Sequence, residues 1–151
     1  MYTLVLILHS WLRWAAFAAG FMAVTALKGP RAAGREGRAD RWSFAFMMTL
    51  DLQMLLGLLL YLVLSPTTAA IFNNFGAAMR DPGARFWAVE HATAMMFAVV
   101  IVHVGRVLGR KASSANARRG HLLLCSIAAL VAMVIATPWP GLSNGRPFLR
   151  L

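Results

Sequence analysis

The stretch that decides the fold is Phe86–Leu108, which reads FWAVEHATAMMFAVVIVHVGRVL. A helix of this length, rising about 1.5 Å per residue, crosses a hydrocarbon core about 30 Å thick. It also carries Glu90, His91 and His103, although an ionised group at the centre of a membrane helix costs about 2.5–3.5 kcal/mol. Because such groups face other helices or a cofactor, the stretch predicts the central helix of a membrane bundle.

The composition of the whole chain agrees with a membrane location. Of its 151 residues, 60% are hydrophobic and only 13% are charged, whereas a soluble domain carries about 25% charged residues. Apolar stretches occur four times, and the predicted spans are about 2–27, 42–64, 86–108 and 122–137. We therefore predict a single transmembrane domain over residues 1–151, an all-α integral membrane four-helix bundle.

Basic residues are concentrated on one side of the predicted bundle. The formal net charge is +10, and ten of the fifteen lysines and arginines lie in the first and third loops or at Arg106. The positive-inside rule places these loops in the cytoplasm and both termini on the non-cytoplasmic side. Since no basic face with interleaved aromatic residues lies outside the spans, the charge indicates topology and not nucleic-acid binding.

Polar side chains of different spans are predicted to lie at one depth. His9 lies about seven residues from the outer end of the first span and His91 about six from that of the third, so both lie at nearly the same level, about 10 Å below the outer surface. Glu90 shares that level, Arg13 lies one turn deeper, and Asp51 of the second span lies near the membrane middle. An ion pair of Arg13 with Asp51 or Glu90 would offset the cost of a charge buried in the membrane.

The histidine pair has two interpretations. In the first, His9 and His91 are the axial ligands of the iron of one haem b, since helical bundles build cofactor sites from inward-facing side chains. In the second, the same polar residues form a cofactor-free network whose hydrogen bonds fix the helix packing, at about 0.6 kcal/mol each.

Other polar residues take secondary roles in the haem interpretation. Arg13 and Glu90 would tune the charge around the site, and Arg80 or Arg85 would meet the haem propionates at the outer surface. A divalent-metal site made of the two histidines and Glu90 is disfavoured, because adjacent helical residues diverge by about 100°. His103 has no other histidine at its depth, so we expect a hydrogen-bonded residue there and not a ligand.

Four short motifs are spread over most of the chain: His9-Ser10-Trp11-Leu12-Arg13-Trp14, Glu90-His91, Gly105-Arg106 and Pro138-Trp139-Pro140. Together they resemble a poorly characterised family of bacterial four-span proteins, often labelled cytochrome b-like. The layout is also similar to small four-helix b-type cytochromes, which bind two haems. The resemblance implies an electron-transfer or redox-accessory subunit of the bacterial inner membrane. The second span and the interior of the fourth lack histidine, so at most one haem is expected.

The sequence favours a subunit over an independent enzyme. No nucleophile–base pair and no nucleotide-binding motif is present, so independent catalysis is not expected. The alternative function is a cofactor-free structural or accessory subunit of a larger membrane protein complex. In both cases the expected partners are membrane lipid and other membrane protein subunits or further copies of this chain. The one cysteine, Cys125, is expected to be a small buried packing residue.

Overall fold

The computed structural model describes residues 1–29, 35–142 and 144–148. Every regular element in this part of the chain is helical: α1 (Tyr2–Lys28), α2 (Arg35–Leu59), α3 (Pro66–Asn73), α4 (Phe75–Ala78), α5 (Pro82–Arg85), α6 (His91–Lys111) and α7 (Ala115–Ala136). Two π-helical turns lengthen the second and third spans, and they are Leu60–Leu64 after α2 and Phe86–Glu90 before α6. Four helical stretches are long and apolar enough to cross a membrane, which indicates a multi-pass membrane protein.

The second span begins earlier than the sequence predicts. A flexible connection is expected over Lys28–Arg41, but α2 already begins at Arg35. Its first turns are rich in residues with good helix propensity, and the glycine among them, Gly37, costs only about 1 kcal/mol relative to alanine. Residues 30–34 of the expected connection lie outside the described part of the chain.

The fourth span also begins earlier, at Ala115 instead of about Leu122. The hydroxyl of Ser114 accepts a hydrogen bond of 3.2 Å from the backbone N–H of Ala117, and this N-cap fixes the start of the helix. The resulting helix of 22 residues is long enough to span a bilayer. The arginines that the sequence assigns to the third loop therefore all lie on helices: Arg110 at the end of α6, and Arg118 and Arg119 near the beginning of α7.

The four long helices form a ring. α1 packs against α2 and α7, and α6 packs against α7 and α2. One end of the ring contains His9 and His91 and is called the histidine end. The opposite end contains Arg106, Arg118 and Arg119 and is called the arginine end.

Small residues allow the helices to approach closely in the middle of the ring. The largest fully buried side chains are Phe46, Leu50 and Met133. They pack among buried alanines from three of the four spans: Ala16, Ala19, Ala23, Ala98, Ala129 and Ala132. A Cβ atom on Gly20 would lie 2.7 Å from Leu130 and 2.8 Å from Phe46. The small residues of the first span therefore pack tightly against α2 and α7.

The outer surface of the ring is apolar. Leu55, Val63 and Ile135 expose 64%, 72% and 72% of their surface. A soluble monomer rarely exposes apolar patches of this extent, but lipid chains solvate them at no cost. The surface thus agrees with the four apolar spans in placing the ring in a membrane.

Candidate functional site

The structure brings His9 of α1 and His91 of α6 together at the histidine end. Their ring centroids lie 6.4 Å apart, and the ring planes make an angle of 66°. Both side chains are half-buried in the ring of helices. The two residues are far apart in the sequence, and they meet because the first and third spans run in the same direction and carry them at the same distance from their N-terminal ends.

The hydrogen bond of His91 defines which ring nitrogen is available. Its Nδ1 lies 2.8 Å from the carbonyl oxygen of Ala136, at the end of α7. A carbonyl can only accept, so Nδ1 carries the hydrogen and donates it. Nε2 then retains its lone pair, and the aromatic rings of Phe86 and Trp87 lie 5.7 Å and 5.6 Å from the imidazole. His91 is thereby oriented as a potential ligand through Nε2.

His9 is positioned by two residues of α2. The side-chain amide of Gln53 donates a hydrogen bond of 2.9 Å to the backbone carbonyl of His9. Gly57, one turn further on, lies against the imidazole, because a Cβ there would be 3.2 Å from His9 Cε1. Within the described residues, His9 Nδ1 and Gln53 Oε1 are buried without a hydrogen-bond partner. The site thus contains buried polar atoms that are not yet satisfied.

Sequence reasoning missed the roles of Gln53 and Gly57. The signal was present, because a polar residue inside a membrane span generally faces another helix or a cavity. A glycine four residues later lies on the same helix face and marks a close approach. Depth alone could not show that this face is directed at His9.

Two π-helical turns meet beside the histidine pair. Tyr61, in the turn after α2, donates its hydroxyl hydrogen to the carbonyl of Ala88, in the turn before α6. Single π-turns within helices occur frequently at functional sites. Here the wider turn precedes His91 directly, and the Tyr61 bond ties it to the second span.

The C-terminal segment packs against the side of α1 near the histidine end. Arg13 and the indole Nε1 of Trp14 both donate to the carbonyl oxygen of Phe148, at 3.0 Å and 2.9 Å. The Trp14 ring packs against Trp139 at 6.3 Å between centroids, and Arg146 lies 5.2 Å from the ring of Trp87. These contacts hold the C-terminal segment against α1 and the third span.

The carboxylates of Glu90 and Asp51 do not pair with Arg13, the partner that the sequence suggests. Glu90 accepts a hydrogen bond of 2.8 Å from Arg85 Nε, and almost half of each side chain is exposed. Asp51 lies 3.6 Å from Nε2 of His103, whose Nδ1 bonds to its own helix at the carbonyl of Val99. The expected pairing of Arg13 with Asp51 or Glu90 is therefore replaced by surface pairs within and between α2 and the third span.

A site with three protein ligands does not form. In the described ranges 1–29, 35–142 and 144–148, no three histidine, cysteine, aspartate or glutamate residues are close enough to hold a metal ion. Glu90 engages Arg85 and does not complete a cluster with the histidines. The protein ligands that this site can offer are thus the two imidazoles alone.

Comparison with known proteins found no relative of this chain. No family model, no curated protein and no solved structure matches the chain. Function must therefore be argued from the residues of the site.

Proposed function

We propose that the protein is a cytochrome b-like electron-transfer or redox-accessory subunit of the bacterial inner membrane, with one haem b held between His9 and His91. The observation that carries this proposal is the approach of these two imidazoles to 6.4 Å between ring centroids. Paired axial histidines are typical of b-type haem proteins built in helical bundles.

The separation of the rings fits two ligands on one iron. With metal–nitrogen distances of about 2.0–2.1 Å, imidazoles on opposite sides of one metal ion have centroids roughly 6 Å apart. The value for His9 and His91 is 6.4 Å, and this agreement supports the proposal that both rings bind one iron. A packing contact between two imidazole rings alone would allow a wider range of separations.

The surroundings of the histidines fit the same role. A metal-bound histidine usually donates its second ring N–H to a carbonyl or carboxylate, which fixes the ring orientation. His91 makes this bond to Ala136. His9 has a buried Nδ1 without a partner in the described residues, and Gly57 leaves room for its imidazole.

Other residues at this end provide charge and exclude water. Arg13, held at the Phe148 carbonyl, supplies positive charge one turn from His9, and Arg85 with Glu90 lies at the surface where propionates would emerge. Bound haem b supplies one-electron chemistry, with a potential set by its ligands and by the polarity around them. The aromatic rings of Phe86 and Trp87 beside His91 lower that polarity.

Substitution of the histidines tests the proposal. We expect His9→Ala and His91→Ala to lose the haem absorbance of the purified protein, because each removes one axial ligand. His103→Ala is the matched control, since it removes an imidazole from the same helix as His91 but lies beside Asp51. Equal haem content in all three variants would contradict the proposal.

A structural subunit without a cofactor is the second candidate. The observation in its favour is that contacts of the candidate site also join helices: Gln53 binds the His9 carbonyl across α1 and α2, and His91 binds Ala136 across α6 and α7. On this alternative, His91→Ala lowers thermal stability or retention of a partner without any spectral change. Affinity purification at native expression, followed by mass spectrometry, would then recover another membrane protein.

The orientation in the membrane is part of the proposal. The arginine end would face the cytoplasm and both termini the outside, as the positive-inside rule requires. Fusion of reporters to the C-terminus and to the loop after α6 tests this. Alkaline phosphatase should be active at the first position and green fluorescent protein should fluoresce only at the second; the reverse pattern would contradict it.

A further inference from the structure

A groove at the arginine end lies outside the candidate haem site. It has a volume of about 520 Å³ and lies where α1, α2, α6 and α7 meet. Its polar lining comes from Asp40 of α2 and from the short connection between α6 and α7 with the helix ends that flank it: Arg110, Ser113, Ser114, Arg118 and Arg119. Among the described residues that line it, three are arginines and one is an acid.

Two of the three arginines have partners within the protein. Arg119 donates to the carbonyls of Leu27 and Gly29 at the end of α1. Arg118 donates to Asp40 at 2.7 Å, which neutralises that acid. The groove therefore keeps a net positive charge.

Arg110 is the third arginine of the groove, and its charge has no partner among the described residues. It lies in the last turn of α6 and is exposed, and in the part of the chain that the structure describes it makes no hydrogen bond or ion pair. Across the groove, the first turn of α7 presents backbone amides, of which those of Ala115 and Asn116 have no acceptor within the helix. The hydroxyl of Ser113 adds another donor at the rim. These donors suit an anion with several oxygen atoms.

The apolar surface that a lipid could use lies beside the groove. Leu27 and Leu122 line the groove but are buried in a small cluster. Val107 and Leu108, within one turn of Arg110 on α6, expose 38% and 41% of their surface. A soluble anion would use the cationic rim alone, whereas a phospholipid would use the rim and this exposed apolar surface together.

We propose that this groove binds the phosphate headgroup of an anionic phospholipid, with Arg110 as the principal contact to the phosphate. This inference rests on the orientation proposed above, because basic pockets between transmembrane helices on the cytoplasmic side are suited to such headgroups. In this proposal Arg118 and Arg119 hold the walls of the groove in place and add to its positive potential. The bound lipid would join the ends of α6 and α7 at a point where the connection between them is short.

Lipid binding to the full chain in detergent tests the proposal. Phosphatidylglycerol should raise the melting temperature more than phosphatidylcholine with the same acyl chains. Arg110→Gln should weaken the apparent affinity for phosphatidylglycerol about fivefold, the effect of one basic residue near an anionic headgroup. Arg110→Lys should retain most of it, because the charge remains.

The control is Arg38→Gln, which removes an exposed arginine near the start of α2 that does not line the groove. It should leave the phosphatidylglycerol effect unchanged. Inorganic phosphate and glycerol phosphate form a separate arm, and Arg110-dependent stabilisation by these alone would support the phosphate site but overturn the lipid as its occupant. Equal effects of both lipids, or equal losses in Arg38→Gln and Arg110→Gln, would overturn the proposal altogether.

Discussion

Gly105 lies where α6 comes very close to α7, and substitution of this glycine tests the packing of the two helices. A Cβ atom added there would lie 2.6 Å from the Cβ and 3.1 Å from the Sγ of Cys125, and 3.4 Å from the carbonyl oxygen of His121. Carbon atoms pack at about 3.5–4.0 Å, so Gly105→Ala forces the two helices apart by about 1 Å at this point. Overpacking of this kind costs about 1–3 kcal/mol, and better helix propensity returns up to about 1 kcal/mol.

We therefore expect Gly105→Ala to lower the free energy of unfolding by about 1–2 kcal/mol. The assay is reversible unfolding in mixed detergent micelles, followed by circular dichroism. Gly120→Ala on α7 is the control, since a Cβ there meets nothing within 4 Å. Cys125→Gly removes the Cβ atom that the new methyl group would strike. In the double variant, Gly105→Ala should therefore cost much less stability than it does when Cys125 is present. Strict additivity of the two substitutions would refute the packing argument.

Three further substitutions test the site and the helix ends. Gly57→Ala should reduce haem content, because the added Cβ would lie 3.2 Å from Cε1 of His9 and displace the imidazole ring. The free energy of unfolding of the haem-free protein should change by less than about 1 kcal/mol. Unchanged haem content would contradict the position assigned to His9. Tyr61→Phe removes the hydroxyl that bonds to Ala88 and should lower the free energy of unfolding by about 0.6–1.7 kcal/mol; no change in detergent unfolding would show that the bond contributes nothing. Arg119→Gln should cost about 1–2 kcal/mol in the same assay, because the carbonyls at the end of α1 lose a cationic donor, and Arg119→Lys should recover only part of it.

The spans could be predicted from the sequence because hydropathy and length almost determine a membrane helix. The first predicted span, 2–27, differs from α1 (Tyr2–Lys28) by one residue at its end. Hydropathy could not predict where α2 and α7 begin, since residues such as Arg118 are as compatible with a helix beyond the membrane as with a loop. The expectation for Cys125 is confirmed: it is buried, and its contact with Gly105 gives the reason.

The depth of each residue in its span predicted that His9 and His91 lie close together, but it did not predict which residues surround them. Counting residues from the membrane surface places His9 and His91 at one level, and the structure has them in contact. The rotation of each helix about its axis determines which charged side chains meet. This rotation is difficult to predict from the sequence where polar residues occur on several faces of a helix. For this reason Asp51 lies beside His103, and Glu90 engages the nearby Arg85.

The most direct test of the account is the visible spectrum of the intact protein, purified from bacterial membranes and recorded in the oxidised and dithionite-reduced states. We predict one haem b per chain by the pyridine haemochrome assay, with the low-spin, six-coordinate spectrum that two axial histidines produce. Reconstitution with haem would restore this spectrum if the cofactor had been lost during purification. A folded protein that remains colourless after reconstitution would contradict the assignment of His9 and His91 as haem ligands.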